Sequence, residues 1–416
     1  MALPAESSYA VPVENGPTRA GHRQARSIRN DGRILDAGYQ LLAQHGWSNL
    51  TFPPVAHLAG LSQRPVRDRF ADRSELTAAV WTQRIHPELV GDLVALQDAS
   101  DLAIKAGESQ ALLEGLEPFH RPEPRMRAAM EVLIVAGFDP IVRGALDSTL
   151  LPHLRRWMTP GFEGLTRADA ARRAYIACTA LGMVVTGLQF GPDQPRLEVE
   201  VRRLASALAT RGEPADQPSA TADHVDVGTE FGTGDPDWDD LLQATLDQVG
   251  TRGYDAATTA AIARASGHTE GFLFARYASK IDLFFDATQR MLSRNAAANI
   301  EFQEAVAAMS SPGIGEAVIM REFMRPGRER LRLINLEQYR VSWQDGRFQR
   351  MMNQGLEPFM DAVAASMSEA SPAEARAAAL MELVRGVGPV VLSHLIPESW
   401  DLPFDVVTVP LLNPAG

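Results

Sequence analysis

The chain has 416 residues, 45% of them hydrophobic and 22% charged, the composition of a folded globular protein of two or three domains. One cysteine, Cys178, excludes an internal disulfide and a cysteine-rich zinc module. The formal charge of −12 argues, taken whole, against a nucleic-acid binder.

In chain order, residues 1–28 are rich in Ala, Ser, Pro and Gly and turn basic at Arg19, Arg23 and Arg26, which predicts a disordered basic arm. They lack the apolar core of a secretion signal, and no apolar run in the chain is long enough to span a membrane, so a cytoplasmic protein is expected. Residues 31–45 place Ile34, Leu35, Gly38, Leu41 and Leu42 at helical spacing. Ala174, Cys178, Leu181, Val185 and Leu188 form a second stripe. Residues 211–234 combine Pro, Gly, Thr and Asp as an acidic linker. The stretch 213–240 holds nine acids and no Lys or Arg, and the remainder of the chain carries only −3. The acidity is therefore local and says little about the other surfaces. Leu380, Val384, Val387, Val391 and Leu395 form a third stripe, and four prolines after residue 396 forbid a long helix in the tail. With no convincing period-two strands, the fold class read from the sequence is all-α.

The chain also repeats itself. Residues 46–76, GWSNLTFPPVAHLAGLSQRPVRDRFADRSEL, align without a gap on 253–283, GYDAATTAAIARASGHTEGFLFARYASKIDL, with seven identities in 31 positions. The correspondence continues at nearly the same offset: Arg121-Pro122 with Arg325-Pro326, Asp139 with Asp345, Pro152 with Pro358 and Gly182 with Gly388. Such a period is too long for a solenoid and reads as duplication of a whole unit.

Within one copy, Thr51 or Thr258 is suited to cap a short helix of small residues. Gly60 or Gly267 permits the left-handed turn that ends it. Ser62 or Thr269 then caps a second short helix running to Phe70 or Tyr277. Two short helices about a tight glycine turn make a helix-turn-helix.

The order Gly-aromatic, Thr, small-residue helix, Gly, Ser/Thr, then aromatic-x-x-Lys-x-x-Leu resembles the TetR family of one-component transcriptional regulators. The likeness covers about 50 residues per copy, quoted above. It implies two TetR-type subunits fused head to tail: a helix-turn-helix head over 29–80 with an effector and dimerisation domain over 81–210, then a second head over 235–287 with a second such domain over 288–416. It implies a double-stranded DNA operator, a regulator, most simply a repressor, and no cofactor or catalytic activity. The stripes at 174–188 and 380–395 become the expected dimer interface, pairing inside one chain as a pseudo-dimer, with association of two whole chains left open.

In the first head Gln63, Arg64, Arg67 and Arg69 would lie on the recognition helix, with Arg64 placed for guanine O6 and N7. Thr51, Ser62 and Arg73 would meet phosphate, and Arg67 takes the place of an aromatic. In the second head the equivalents are Thr258, Thr269, Phe274, Arg276 and Lys280. Residues 253–283 carry no net charge, so this head should grip phosphate weakly. The two recognition helices share almost no exposed residues, so the operator is expected to be asymmetric. Met130, Phe138 and Trp157 in the first unit, and Phe323, Tyr339 and Trp343 in the second, are candidates to line a pocket for a small apolar or aromatic effector. No nucleotide loop, HExxH or nucleophile elbow is present. The alternative is a duplicated helical sensing or partner-binding module whose DNA-binding heads have decayed.

Overall fold

The computed structural model describes residues 19–192, 194–211, 231–367 and 370–412. The expected linker falls largely, at 212–230, outside the described residues, as do the first 18 residues of the expected arm. The described residues contain helices and no strand.

In the first half the helices are α1 (Arg19–His45), α2 (Phe52–Leu58), α3 (Gln63–Arg67), α4 (Arg73–Val80), α5 (His86–Ala106), α6 (Ser109–His120), α7 (Pro124–Val135), α8 (Pro140–Ser148), α9 (Leu150–Met158), α10 (Arg167–Phe190) and α11 (Glu198–Ala209). In the second half they are α12 (Pro236–Ala256), α13 (Thr259–Ala265), α14 (Glu270–Phe274), α15 (Lys280–Met309), α16 (Pro312–Met324), α17 (Glu329–Ser342), α18 (Gly346–Ser366), α19 (Pro372–Leu395) and α20 (Asp405–Leu412). The first residues of α2, α3 and α4 and those of α13, α14 and α15 are each 207 apart. Asp139 and Asp345, 206 apart, cap α8 and α18 with nearly the same backbone angles, φ −115° and −124°.

One expectation is corrected here. Residues 19–28 are helical backbone, the opening turns of α1, and not an unstructured arm. The segment is rich in Arg, Ala and Gln and holds no proline, so a helix nucleated on the buried Ile34, Leu35, Leu41 and Leu42 extends back through it at little cost.

Helices α10 and α19 form the most extensively packed pair. Both are long and apolar enough, by length and composition, to cross a membrane, but most of that surface is buried within the protein. Their closest approach depends on two glycines. A Cβ on Gly182 would lie 3.0 Å from the carbonyl carbon of Val384 and closer still to its oxygen. A Cβ on Gly388 would lie 3.1 Å from Cα of Cys178 and closer still to its carbonyl. Each glycine faces the residue four before the other, so the two contacts are reciprocal. Around this pair α11 packs on α20, and the tail's apolar residues join the same core through Phe404, Val406 and Val407. Polar links between the halves include Arg155 with Glu398 at 2.7 Å, Gln189 with Asn353 at 2.7 Å, and Arg143 to the His394 carbonyl at 3.3 Å. One hydrophobic core runs from the first head through both bodies, whereas α12–α15 close around a core of their own with residues of α17 and α18.

Candidate nucleic-acid interface

Each head is a three-helix unit, α1–α2–α3 or α12–α13–α14, followed by the helix that carries it into the body. In both, a glycine with positive φ separates the two short helices: Gly60 at 62° and Gly267 at 77°. Side chains with a Cβ rarely adopt that conformation. Arg33 of α1 donates to the Gly60 carbonyl at 3.2 Å and holds the first turn against its supporting helix.

The expected caps divide between the heads. Thr258 accepts from the Ala261 amide at 3.1 Å and Thr269 from the Phe272 amide at 3.3 Å. Thr51 and Ser62 occupy the same cap positions without a side-chain bond. The reason is local. Pro53 and Pro54 fill the second and third positions of α2, and Pro65 the third of α3, so most of the amides a cap would bind do not exist. Both recognition helices are also shorter than expected, ending at Arg67 and Phe274 and not at Phe70 and Tyr277.

Helix α3 presents Gln63, Arg64 and Arg67 to solvent, and the Arg64 side chain is 88% exposed with a loose ion pair to Asp68 at 3.7 Å. Arg67 reaches Gln63 at 3.4 Å and lies over the Phe52 ring. Arg69 is engaged within the head: it forms an ion pair with Asp31 of α1 and donates to the Pro65 carbonyl at 3.0 Å. Arg73, expected at phosphate, lies over the Trp47 ring at 3.4 Å, and burial lowers its pKa.

The second head repeats this pattern with different chemistry. Lys280, at the position of Arg73, lies over the Tyr254 ring at 4.0 Å and donates to the Tyr254 carbonyl at 2.8 Å. Its pKa is pushed down by burial. Arg276 pairs with Asp235 at 2.7 Å and lies over Phe272 at 3.8 Å, and its hydrogen bond holds the Asp235 carboxyl below the usual range. Glu270 accepts from Thr259 at 2.6 Å. What α14 offers to solvent is therefore Glu270, Gly271 and a 52% exposed Phe274, with Arg264 exposed on α13 beside it. The exposed face of α3 is cationic, and that of α14 is apolar and acidic. The cations at 69, 73, 276 and 280 hold the heads together internally.

Residues 241–287 match the family described as bacterial regulatory proteins, tetR family. The second head is thus similar to the TetR-type helix-turn-helix domain. The match takes in the body of α12, both short helices and the first turns of α15. A stretch of 107 residues, 26% of the chain, is 28% identical to the HTH-type transcriptional regulator SrpR of Pseudomonas putida and covers 46% of that protein. The aligned region thus spans less than half the length of this relative.

Behind the two heads, the sequence-predicted pocket residues part company. Met130 and Trp157 line one cavity of about 50 Å³ in the first body, with Leu89, Phe119, Leu133 and Val184. Leu392 and Leu395 of α19 line it too, so its wall crosses between the halves. Phe138 is elsewhere: it packs edge-on against Trp47 at 5.7 Å and beneath Gly253. Phe323, Tyr339 and Trp343 do not line this cavity. Tyr339 and Trp343 pack into the core around α17, and the Phe323 carbonyl accepts from Arg332 at 3.2 Å. The Tyr339 and Trp343 side chains pack because α17 lies under the second head and against α7.

Sequence reasoning passed over the residues that join heads to bodies. Glu131 of α7 accepts from the Trp47 amide at 2.9 Å, and Glu337 of α17 accepts from the Tyr254 amide at 2.6 Å. Both glutamates are fully buried, and they are 206 residues apart. That spacing was the available signal: two acids within helical stretches at the repeat offset.

Proposed function

We propose that the protein is a DNA-binding transcriptional regulator built as a covalent pseudo-dimer of two TetR-type units. The carrying observation is the TetR-type match over 241–287 together with a second helix-turn-helix whose helix starts coincide with it at an offset of 207. The reciprocal Gly182 and Gly388 contacts support reading α10 and α19 as the fused equivalent of a subunit interface. Exposed Arg64, Arg67 and Gln63 suit the first head to base edges and phosphate in a major groove. The second head, with Glu270 and Phe274 outermost, reads a different half-site and contributes little to phosphate affinity. The operator is therefore asymmetric. Repression follows if it overlaps a promoter, and an effector in the first body is expected to release it. The cavity is lined by apolar side chains and one tryptophan without a charged residue, which suits an uncharged apolar or aromatic effector.

The test is selection of bound sequences from a random double-stranded pool by the full chain at near-physiological salt. Two unlike half-sites support the proposal. A single half-site confines reading to one head, and a palindrome overturns the asymmetry. No enrichment at this or lower salt, from folded protein, overturns DNA binding in favour of the sensing-module alternative.

A further inference from the structure

Positions 48 and 255 are equivalent in the alignment at an offset of 207, and they touch. Ser48 Oγ donates to Asp255 Oδ1 at 2.7 Å. A residue meeting its own equivalent marks the point where the two heads face each other.

One buried cation gathers this contact. Arg340 of α17 has a fully buried side chain. It donates to both carboxylate oxygens of Glu337, at 2.5 and 2.8 Å, and to Asp255 at 3.1 Å. It reaches Ser48 at 3.4 Å and lies 3.6 Å from Glu131. Glu131 and Glu337 in turn hold the amides of Trp47 and Tyr254, the first residues after the glycines that end the supporting helices. Gln344 closes the set, donating to Glu131 at 2.9 Å. Burial opposes ionisation of Asp255, but Arg340, Ser48, Arg73 and Lys280 outweigh it and hold its carboxyl below the usual range. Burial likewise opposes charge on Arg340, and Glu337, Asp255 and Glu131 more than compensate.

We propose that this cluster is a positioning device that fixes the distance and orientation between the two DNA-reading heads, and so sets the half-site spacing the protein accepts. The inference rests on the reading of both heads as DNA-binding. Its physical basis is direction. A planar guanidinium that is itself fully buried and bonded to several elements satisfies all its partners in one arrangement only. Sliding one head against the other strips a charged hydrogen bond from that buried cation, at a partly buried site where water restores it at a cost. Apolar burial has no preferred direction, whereas this cluster does.

The device also depends on the halves being unequal. The position equivalent to Arg340 in the first half is Ile134, a buried residue. A guanidinium at both positions would set two cations on one group of carboxylates. Two aspartates at 48 and 255 would repel, where Ser48 and Asp255 bond. Fusion lets one half supply the cation and the other the hydroxyl.

The test uses the full chain and a Ser48→Ala/Asp255→Asn double variant. It removes the link between the heads and leaves the Arg340–Glu337 pair, and Ser48→Ala alone serves if the double variant fails to fold. Spin labels on exposed positions, Arg64→Cys and Glu270→Cys, with Cys178 buried, report the distance between heads by pulsed dipolar spectroscopy. A narrow distribution in the parent and a broad one in the folded variant is expected. An unchanged width in a folded variant overturns the proposal. In parallel, both proteins select from a library of the two half-sites joined by spacers of varied length. The parent is expected to enrich one spacing. The variant should accept shorter and longer spacers with the same half-site sequences, and bind the parent's spacing about tenfold more weakly, the scale of one charge-assisted hydrogen bond. A retained spacing preference counts against the proposal. If the parent selects no DNA, the reading as a regulator fails, while the distance measurement still decides what the cluster does.

Discussion

Replacing Gly182 with alanine tests the pairing of the two halves. Its Cβ would stand 3.0 Å from the carbonyl carbon of Val384 and closer to the oxygen. Restoring an ordinary C···O approach of about 3.3 Å requires α10 and α19 to part by roughly 1 Å. Neither obstacle is the end of a flexible side chain, so no rotamer change relieves it. Overpacking costs about 1–3 kcal/mol, and a contact with backbone belongs in the upper part of that range. Alanine returns about 0.8–1 kcal/mol of helix propensity, leaving a net loss of about 1–2 kcal/mol. Gly386 provides the control: it lies in α19, in a helix interior, and a Cβ there meets nothing within 4 Å. Gly386→Ala should therefore gain up to about 1 kcal/mol. The same chemical change on the two facing helices is thus expected to act with opposite sign, separating the variants by roughly 2–3 kcal/mol. Urea unfolding followed by circular dichroism measures the difference. Gly182→Ala equal to or more stable than Gly386→Ala would refute the close approach and, with it, the intrachain pairing.

Three further outcomes are expected. His394 packs on Gly137, and its Nε2 lies 3.2 Å from the Leu133 carbonyl; burial first, then Arg143 and Arg332, push its pKa down to about 4. Because the folded value lies below the unfolded one, its contribution is intact above about pH 6.5 and is lost as pH falls towards 4, about 3 kcal/mol in all. His394→Gln should flatten the acid limb of stability against pH by that amount, and an unchanged limb refutes the assignment. Thr258→Ala should cost about 1 kcal/mol through its lost cap, whereas Thr51→Ala, with no cap bond to lose, should stay within about 0.5 kcal/mol in the same unfolding assay. Arg64→Ala should weaken DNA binding by about 1–3 kcal/mol and relax preference at one base position, while Arg69→Ala should lower the melting temperature of the protein through loss of its pair with Asp31. Equal loss on every DNA sequence with Arg64→Ala refutes that division.

The helical fold class is legible in apolar stripes at helical spacing. The two helix-turn-helix segments are legible as well, because the turn in each needs a glycine, at 60 and 267, and in the second both short helices are capped by Thr. The internal repeat is legible too, since identities at one fixed offset are visible without any knowledge of contacts. What the charges do depends on how the helices pack. Arg69, Arg73, Arg276 and Lys280 read in sequence like the other cations of the heads, yet each is held by a carboxylate, a carbonyl or a ring brought from another segment. The same holds for Met130 and Trp157, which share a cavity, against Tyr339 and Trp343, which do not. An aromatic stripe records that a helix face is buried, but not whether a void lies beneath it. Glu131, Glu337 and Arg340 show the limit most plainly. A buried charge is tolerable only beside its partners, and those partners come from both heads and both bodies, at separations that no local pattern records.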